Sequence, residues 1–334
     1  MMMGRDLRID FLRSIAILFM VEVHIAATIA PENIAHNSPL AILSSSIGGL
    51  AAPLFVMIAG WSASKSSSAN IWLRFSFLMI GQLIVNLIGS HVFNWYTPGI
   101  LSLLALCGLL TPVLSRINNM NLNISYVFLL LIPFFMYPID GSWFAVITAV
   151  SLFEWLGLLL LKGTYPLMPW LVFYVLGFIV EKNQQKNILY STLFVSVLIA
   201  IYALVNQMEW ALTSGDAMLT FFPANTYFLV NASFGILFLD LLLKKVGESF
   251  FSLGINLSFI KIGKLSLSIY ILHFIPLRYL ASIDYHGSSV PITFGLIISY
   301  CGIWWLFAHL QNKYFKSFCA ENLLRYLSGK KTAI

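Results

Sequence analysis

The stretch RDLRIDFLRSIAILFMVEVHIAATIAPENIAH, from Arg5 to His36, decides the fold. Its apolar run is long enough to cross a bilayer, which takes about 20 residues. Yet the run carries Asp10, Arg13, Glu22 and His24. An Arg or Asp at the middle of a membrane helix costs roughly 2.5–3.5 kcal/mol on insertion scales. A plain anchor would use leucine at these positions. On a helix, Arg13 and His24 stand three turns apart and fall within about 20° of one line. Asp10 and Arg13 are spaced i,i+3 and can meet. Asp10, Arg13 and His24 therefore form one polar stripe about 20 Å long. Glu22, nine residues from Arg13, points to the opposite face.

The rest of the chain agrees with a membrane reading. Of its 334 residues 59% are hydrophobic and only 10% charged, and the mean hydropathy is +0.87. Soluble domains carry about 25% charged residues, so little room remains for a separate soluble domain. The net charge of +6 is scattered between apolar spans and is no nucleic-acid signal. The three cysteines, Cys107, Cys301 and Cys319, are far apart, with no C-x-x-C. They support neither a disulfide framework nor a metal site. The fold class is all-α, a polytopic membrane helix bundle.

Ten spans are expected near 11–30, 40–62, 71–90, 99–115, 123–136, 166–180, 187–205, 222–243, 265–282 and 291–310. The segment 143–161 is apolar enough to be an eleventh, and charge argues against it. With ten spans, 17 of the 19 Lys and Arg residues fall on one side, leaving Lys162 and Arg278 on the other. Orientation follows the Lys/Arg bias, so both termini face the cytoplasm and 143–161 is re-entrant or lies along the outer interface. The alternative that preserves parity has 143–161 crossing and 123–136 not. Residues 247–260 suggest an interfacial amphipathic helix. Pro53 is expected to break the second span, while Gly48, Gly49 and Gly60 allow helices to approach closely. Residues 1–310 form the membrane domain and 311–334 a basic cytoplasmic tail.

Several polar residues are candidates for chemistry. Imidazole titrates near neutrality and can take and return a proton. His24, in the outer half of the first span, is therefore a candidate base; its ordinary role would be hydrogen bonding between helices. His36, in the loop that follows, would ordinarily be just solvated. Arg13 and Arg74 sit at the inner ends of spans one and three, where positive-inside topology explains Arg74 well. Asp10 orients Arg13. His273 lies within a late span, and Arg278 follows five residues on.

D-x-x-R at Asp10 and Arg13, followed by R-x10-H to His24, resembles the acyltransferase-3 family. GGLAAPLFVMIAGWSAS (Gly48 to Ser64) and YPLMPWLVFYVLGFIVEK (Tyr165 to Lys182) resemble a related branch that includes heparan-alpha-glucosaminide N-acetyltransferase. GKLSLSIYILHF (Gly263 to Phe274) is similar to the late-helix motif of both. The resemblance implies an acyltransferase that uses acetyl-CoA and no metal, with a saccharide or glycan acceptor. It implies His24 or His36 as catalytic base or transient acyl acceptor. The glucosaminide branch carries a functional histidine shortly after its first core span, which His36 fits, and an asparagine where His24 stands. Both positions are His here, so both stay candidates, with His24 first. Arg13, Arg74 and Asp10 become candidates for donor binding, since a guanidinium grips phosphate in a forked way. His273 and Arg278 become candidates for the acceptor side. The setting is the plasma or inner membrane, among membrane lipids, with a homodimer left open. The alternative is a secondary transporter or flippase for a polar or sugar-lipid substrate. Against it stand the missing internal repeat and the long Arg–His stripe.

The charge argument predicts that single cysteines at Gln184 and Lys330 label from the cytoplasmic side and those at Gly215 and Gly287 from the outside. Outside labelling at 184 would make 143–161 a true span.

Overall fold

The computed structural model describes residues 6–31, 38–66, 70–136, 151–214, 217–287, 289–315 and 319–329. The candidate base His36 and the segment 143–150 lie outside the described residues. The order of elements is α1 (Leu7–Ile29), α2 (Pro39–Ser64), α3 (Ile71–Ile88), α4 (Ile100–Leu114), α5 (Asn119–Met136), α6 (Leu152–Gly157), α7 (Leu167–Glu181), α8 (Gln185–Val205), β1 (Ala211–Ser214), β2 (Leu219–Phe222), α9 (Thr226–Lys245), α10 (Glu248–Ser252), α11 (Gly254–Lys264), α12 (Ser266–Leu272), α13 (Phe274–Ser282), α14 (Val290–Tyr314) and α15 (Ala320–Leu327). The fold is a helical membrane bundle. Among the described residues seven helices are long and apolar enough to span a bilayer, or nine if each of two bent helix pairs counts as one span. Ten are reached only if α4 also crosses; its 15 residues are short for that.

Two local features differ from the sequence reading, at Pro53 and at residue 222. The α-helix of α2 runs through Pro53 without a break. The span expected from residue 222 begins at Thr226, because Leu219–Phe222 pairs with Ala211–Ser214 in a short parallel ladder, Ala211 with Leu219 and Ser214 with Phe222. Residues 152–162 form α6 and a π-helical turn at Leu158–Lys162, and the chain then bends by 45° into α7. Met168 is extended there, as a residue ahead of a proline tends to be.

The chain divides into two compact units, the first made of Met1–Phe55, Ile84–Asn94 and Asp240–Ile334, the second of Val56–Leu83 and Trp95–Leu239. In the second unit two of the quoted motifs meet. A Cβ on Gly60 of α2 would lie 2.1 Å from the Tyr174 carbonyl oxygen, and one on Gly177 of α7 would lie 2.1 Å from that of Met57. Each glycine lets the other helix's backbone into contact, the close packing by which membrane helices associate. Trp170, fully buried, sits beside among others Tyr165, Phe173, Phe221 and Phe228.

In the first unit α1 is the central helix, packed against α10 to α14. The stretch expected to be amphipathic, α10 and α11, packs on α1: the Phe11 ring lies against Phe250, Phe251 and Phe259. Phe251, Ile260 and Ile262 are buried there, while Leu253, Ile255 and Leu257 stay exposed. Contact is tightest at Gly263, whose N–H donates to Ser14 Oγ at 2.8 Å. A Cβ on Gly263 would lie 2.4 Å from the Asp10 carbonyl oxygen, which cannot move aside. Gly263→Ala should therefore destabilise the protein by about 1–3 kcal/mol, read as a lower thermal unfolding midpoint in detergent. Gly302→Ala, where a Cβ meets nothing within 4 Å, should not.

Candidate functional site

Every side chain of this site belongs to the first unit. At the N-terminal end of α1, Asp6 caps the helix by accepting from the backbone N–H of Arg8 and Ile9. Arg8 pairs with Asp6 and with the buried Asp240 of α9, which also holds Lys244 at 3.3 Å. Arg8 is thus tied into the fold. One turn on, Arg13 donates to Asp10 Oδ1 at 3.0 Å. Asp10 is 3% exposed, whereas the Arg13 side chain keeps 24% of its surface open. The i,i+3 pairing read from the spacing is present.

Eleven residues further along, His24 Nδ1 lies 2.8 Å from His273 Nε2. His273 is fully buried at the junction between α12 and α13. Its other ring nitrogen, Nδ1, lies 2.8 Å from the Tyr270 carbonyl oxygen and 3.1 Å from that of Ile269. Carbonyl oxygens only accept, so His273 Nδ1 carries a proton. For two neutral rings the remaining assignment is then fixed. His273 Nε2 accepts, His24 Nδ1–H donates, and the lone pair of His24 lies on Nε2. Phe274 packs on the His24 ring with centroids 4.9 Å apart, and Phe93 packs on Phe274. Tyr300 of α14 donates to the His273 carbonyl oxygen at 2.6 Å.

Two further groups adjoin this pair. His91, just past α3, lies within electrostatic reach of both His24 and Arg278. The partial covering of the His91 ring, and secondly the Arg278 guanidinium, hold its imidazole below the ordinary range. Arg278, exposed on α13, donates to the Leu87 carbonyl oxygen at 3.4 Å. Glu22 faces elsewhere and accepts from Ser44 of α2 at 2.7 Å. Arg74 lies in the second unit, where it donates to Ser66 Oγ at 3.4 Å. Among the described residues no group of three or more His, Cys, Asp or Glu side chains forms a metal cage.

One contributor was not singled out from the sequence. Glu321 of α15 accepts from the backbone N–H of Leu267 and Ser268 and from Ser268 Oγ. A carboxylate from the C-terminal helix thus caps the N-terminus of α12, the helix leading to His273. A Glu opening a short amphipathic helix is too common a pattern to point to that partner. Glu321→Gln should lower stability by about 0.5–2 kcal/mol, measured by thermal unfolding in detergent. An unchanged midpoint would show that the cap does not hold α12.

The family described as heparan-alpha-glucosaminide N-acetyltransferase, catalytic, matches residues 5–212. No curated protein matches the chain.

Proposed function

Because the chain belongs to the heparan-alpha-glucosaminide N-acetyltransferase catalytic family, we propose that this membrane acetyltransferase moves an acetyl group from cytoplasmic acetyl-CoA to a hydroxyl or amine of a saccharide or glycan on the outer side. The observation that carries the reading is the His24–His273 hydrogen bond, which leaves the lone pair of His24 on Nε2. A transporter has no need of a histidine held in one tautomer.

In this proposal His24 Nε2 removes the proton from the acceptor hydroxyl or amine as its oxygen or nitrogen attacks the thioester carbon. The C–S bond then breaks, and the proton on Nε2 passes to the departing thiolate. His273 positions the base and disperses the charge that His24 gains. His36 is retained as the alternative base. Arg13, steadied by Asp10, meets the donor's phosphates, and Arg74 is retained as a second donor contact. His273 and Arg278 border the acceptor side. Arg13 and His24 are about 16 Å apart along the helix. A charged nucleotide head is costly to move into hydrocarbon, so the head stays at the Arg13 end and the narrow pantetheine arm reaches towards His24. Residues 1–310 carry the reacting groups of this proposal, and the basic cytoplasmic segment 311–334 holds the end of α14 and α15, whose Glu321 caps α12.

Sealed, oriented vesicles test the proposal. Labelled acetyl-CoA supplied inside should acetylate a saccharide supplied outside. His24→Ala should cut transfer by about 10²–10⁴-fold, the usual contribution of a positioned base, while acetyl-CoA still binds. Arg13→Lys should weaken donor binding instead. Transfer that requires both substrates on the same side would contradict the through-membrane route, and full activity of His24→Ala would contradict the role of His24.

A further inference from the structure

A cleft of about 570 Å³ opens between α11 and α14 of the first unit, lined by Lys261, Lys264, His309, Asn312 and Lys313. Three of these five are lysines and none is acidic. Lys261 Nζ lies 3.5 Å from His309 Nδ1. An ammonium only donates, so Nδ1 accepts and the neutral ring carries its N–H on Nε2. The lysines and this ring therefore offer donors. Asn312 Nδ2 donates to the carbonyl oxygens of Ala308 at 2.7 Å and Lys261 at 3.4 Å, tying α14 to α11 across the cleft.

The ordinary explanation of such lysines is that they complement the negative C-terminal ends of helices. Lys261 and Lys264 stand in the last turn of α11 and Lys313 in that of α14, and all three do so. It does not account for Lys261 turning towards a histidine. Like charges gathered around one hollow repel, and an anion seated among them relieves the repulsion. Lysine ammonium groups bind phosphate as point charges, and basic pockets between membrane helices on the cytoplasmic side take phosphorylated head groups.

We propose that the Lys261–Lys264–Lys313 cleft is a phosphate-binding site, separate from the His24–His273 pair. Its place in the fold narrows the source to two. Gly263, next to Lys264, lies on the Asp10 backbone, so the cleft flanks the end of α1 that carries Arg13. The phosphate is either that of the donor's nucleotide head or that of an anionic lipid. The first source rests on the acetyl-CoA reading above; the second does not.

The test uses the full chain, purified in detergent and stripped of lipid. Two probes are titrated by calorimetry: adenosine 3′,5′-bisphosphate and dihexanoyl phosphatidylglycerol. Adenosine and dihexanoyl phosphatidylcholine are the controls. Lys261→Gln/Lys313→Gln should weaken at least one phosphate probe tenfold or more. Exposed Lys313 provides a second variant that should keep its fold: Lys313→Gln alone should weaken the same probe, and Lys313→Arg should restore it. Loss confined to the nucleotide assigns the cleft to the donor head, and loss confined to the glycerophospholipid assigns it to membrane lipid. Wild-type protein that binds neither probe, or variants that bind both unchanged, would overturn the site. Acetyl-CoA is titrated in parallel. Its failure to bind wild-type protein would overturn the donor reading without touching the lipid outcome.

Discussion

Inside a bilayer a polar side chain finds its partner within the protein or pays the full cost of its desolvation. That constraint fixes the surroundings of α1. Four of its polar side chains are answered from other parts of the chain: Arg8 by Asp240 of α9, Ser14 by the Gly263 N–H of α11, Glu22 by Ser44 of α2, and His24 by His273. Asp10 and Arg13 answer each other within the helix. Apolar packing is tolerant of rotation and sliding, whereas these bonds are not. They set the rotation and height at which each neighbour docks, and Gly263 sets how closely α11 approaches.

The same constraint gives the site its chemistry. His273 is buried, and its Nδ1 is committed to a backbone carbonyl, so its Nε2 can only accept while the ring is neutral. His24 is thereby held in the tautomer that keeps its lone pair on Nε2. Two structural devices hold His273 in turn: the Tyr300 hydroxyl on its carbonyl oxygen and the Glu321 cap on α12. A chain of support thus runs from α15 to His24, the base of the proposed function, through parts of the chain far apart in sequence.

The stripe on α1 was legible in the sequence because helical periodicity is local. Asp10, Arg13, His24 and the opposed Glu22 follow from counting residues, and the Asp10–Arg13 pair is found as counted. The partners were not legible, because they are long-range choices. Nothing near Arg8 points to Asp240, and nothing near His273 points to Nδ1 of His24. Pro53 misled because a proline inside a long membrane helix removes one backbone hydrogen bond without having to end the helix. Residues 247–260 read as amphipathic, but that Phe250, Phe251 and Phe259 meet Phe11 while Leu253, Ile255 and Leu257 stay exposed was not readable. Gly60 was readable as a small residue suited to close packing, but that it meets α7, and that Gly177 of α7 meets α2 in turn, was not.

The account turns on which nitrogen of His24 bears the proton. Nitrogen-15 spectra of histidine-labelled protein, with His24→Gln and His273→Gln used for assignment, read this directly. The account predicts that neutral His24 is protonated at Nδ1 and bare at Nε2, and that His273 is also protonated at Nδ1. A His24 ring protonated at Nε2 and bare at Nδ1 would contradict it.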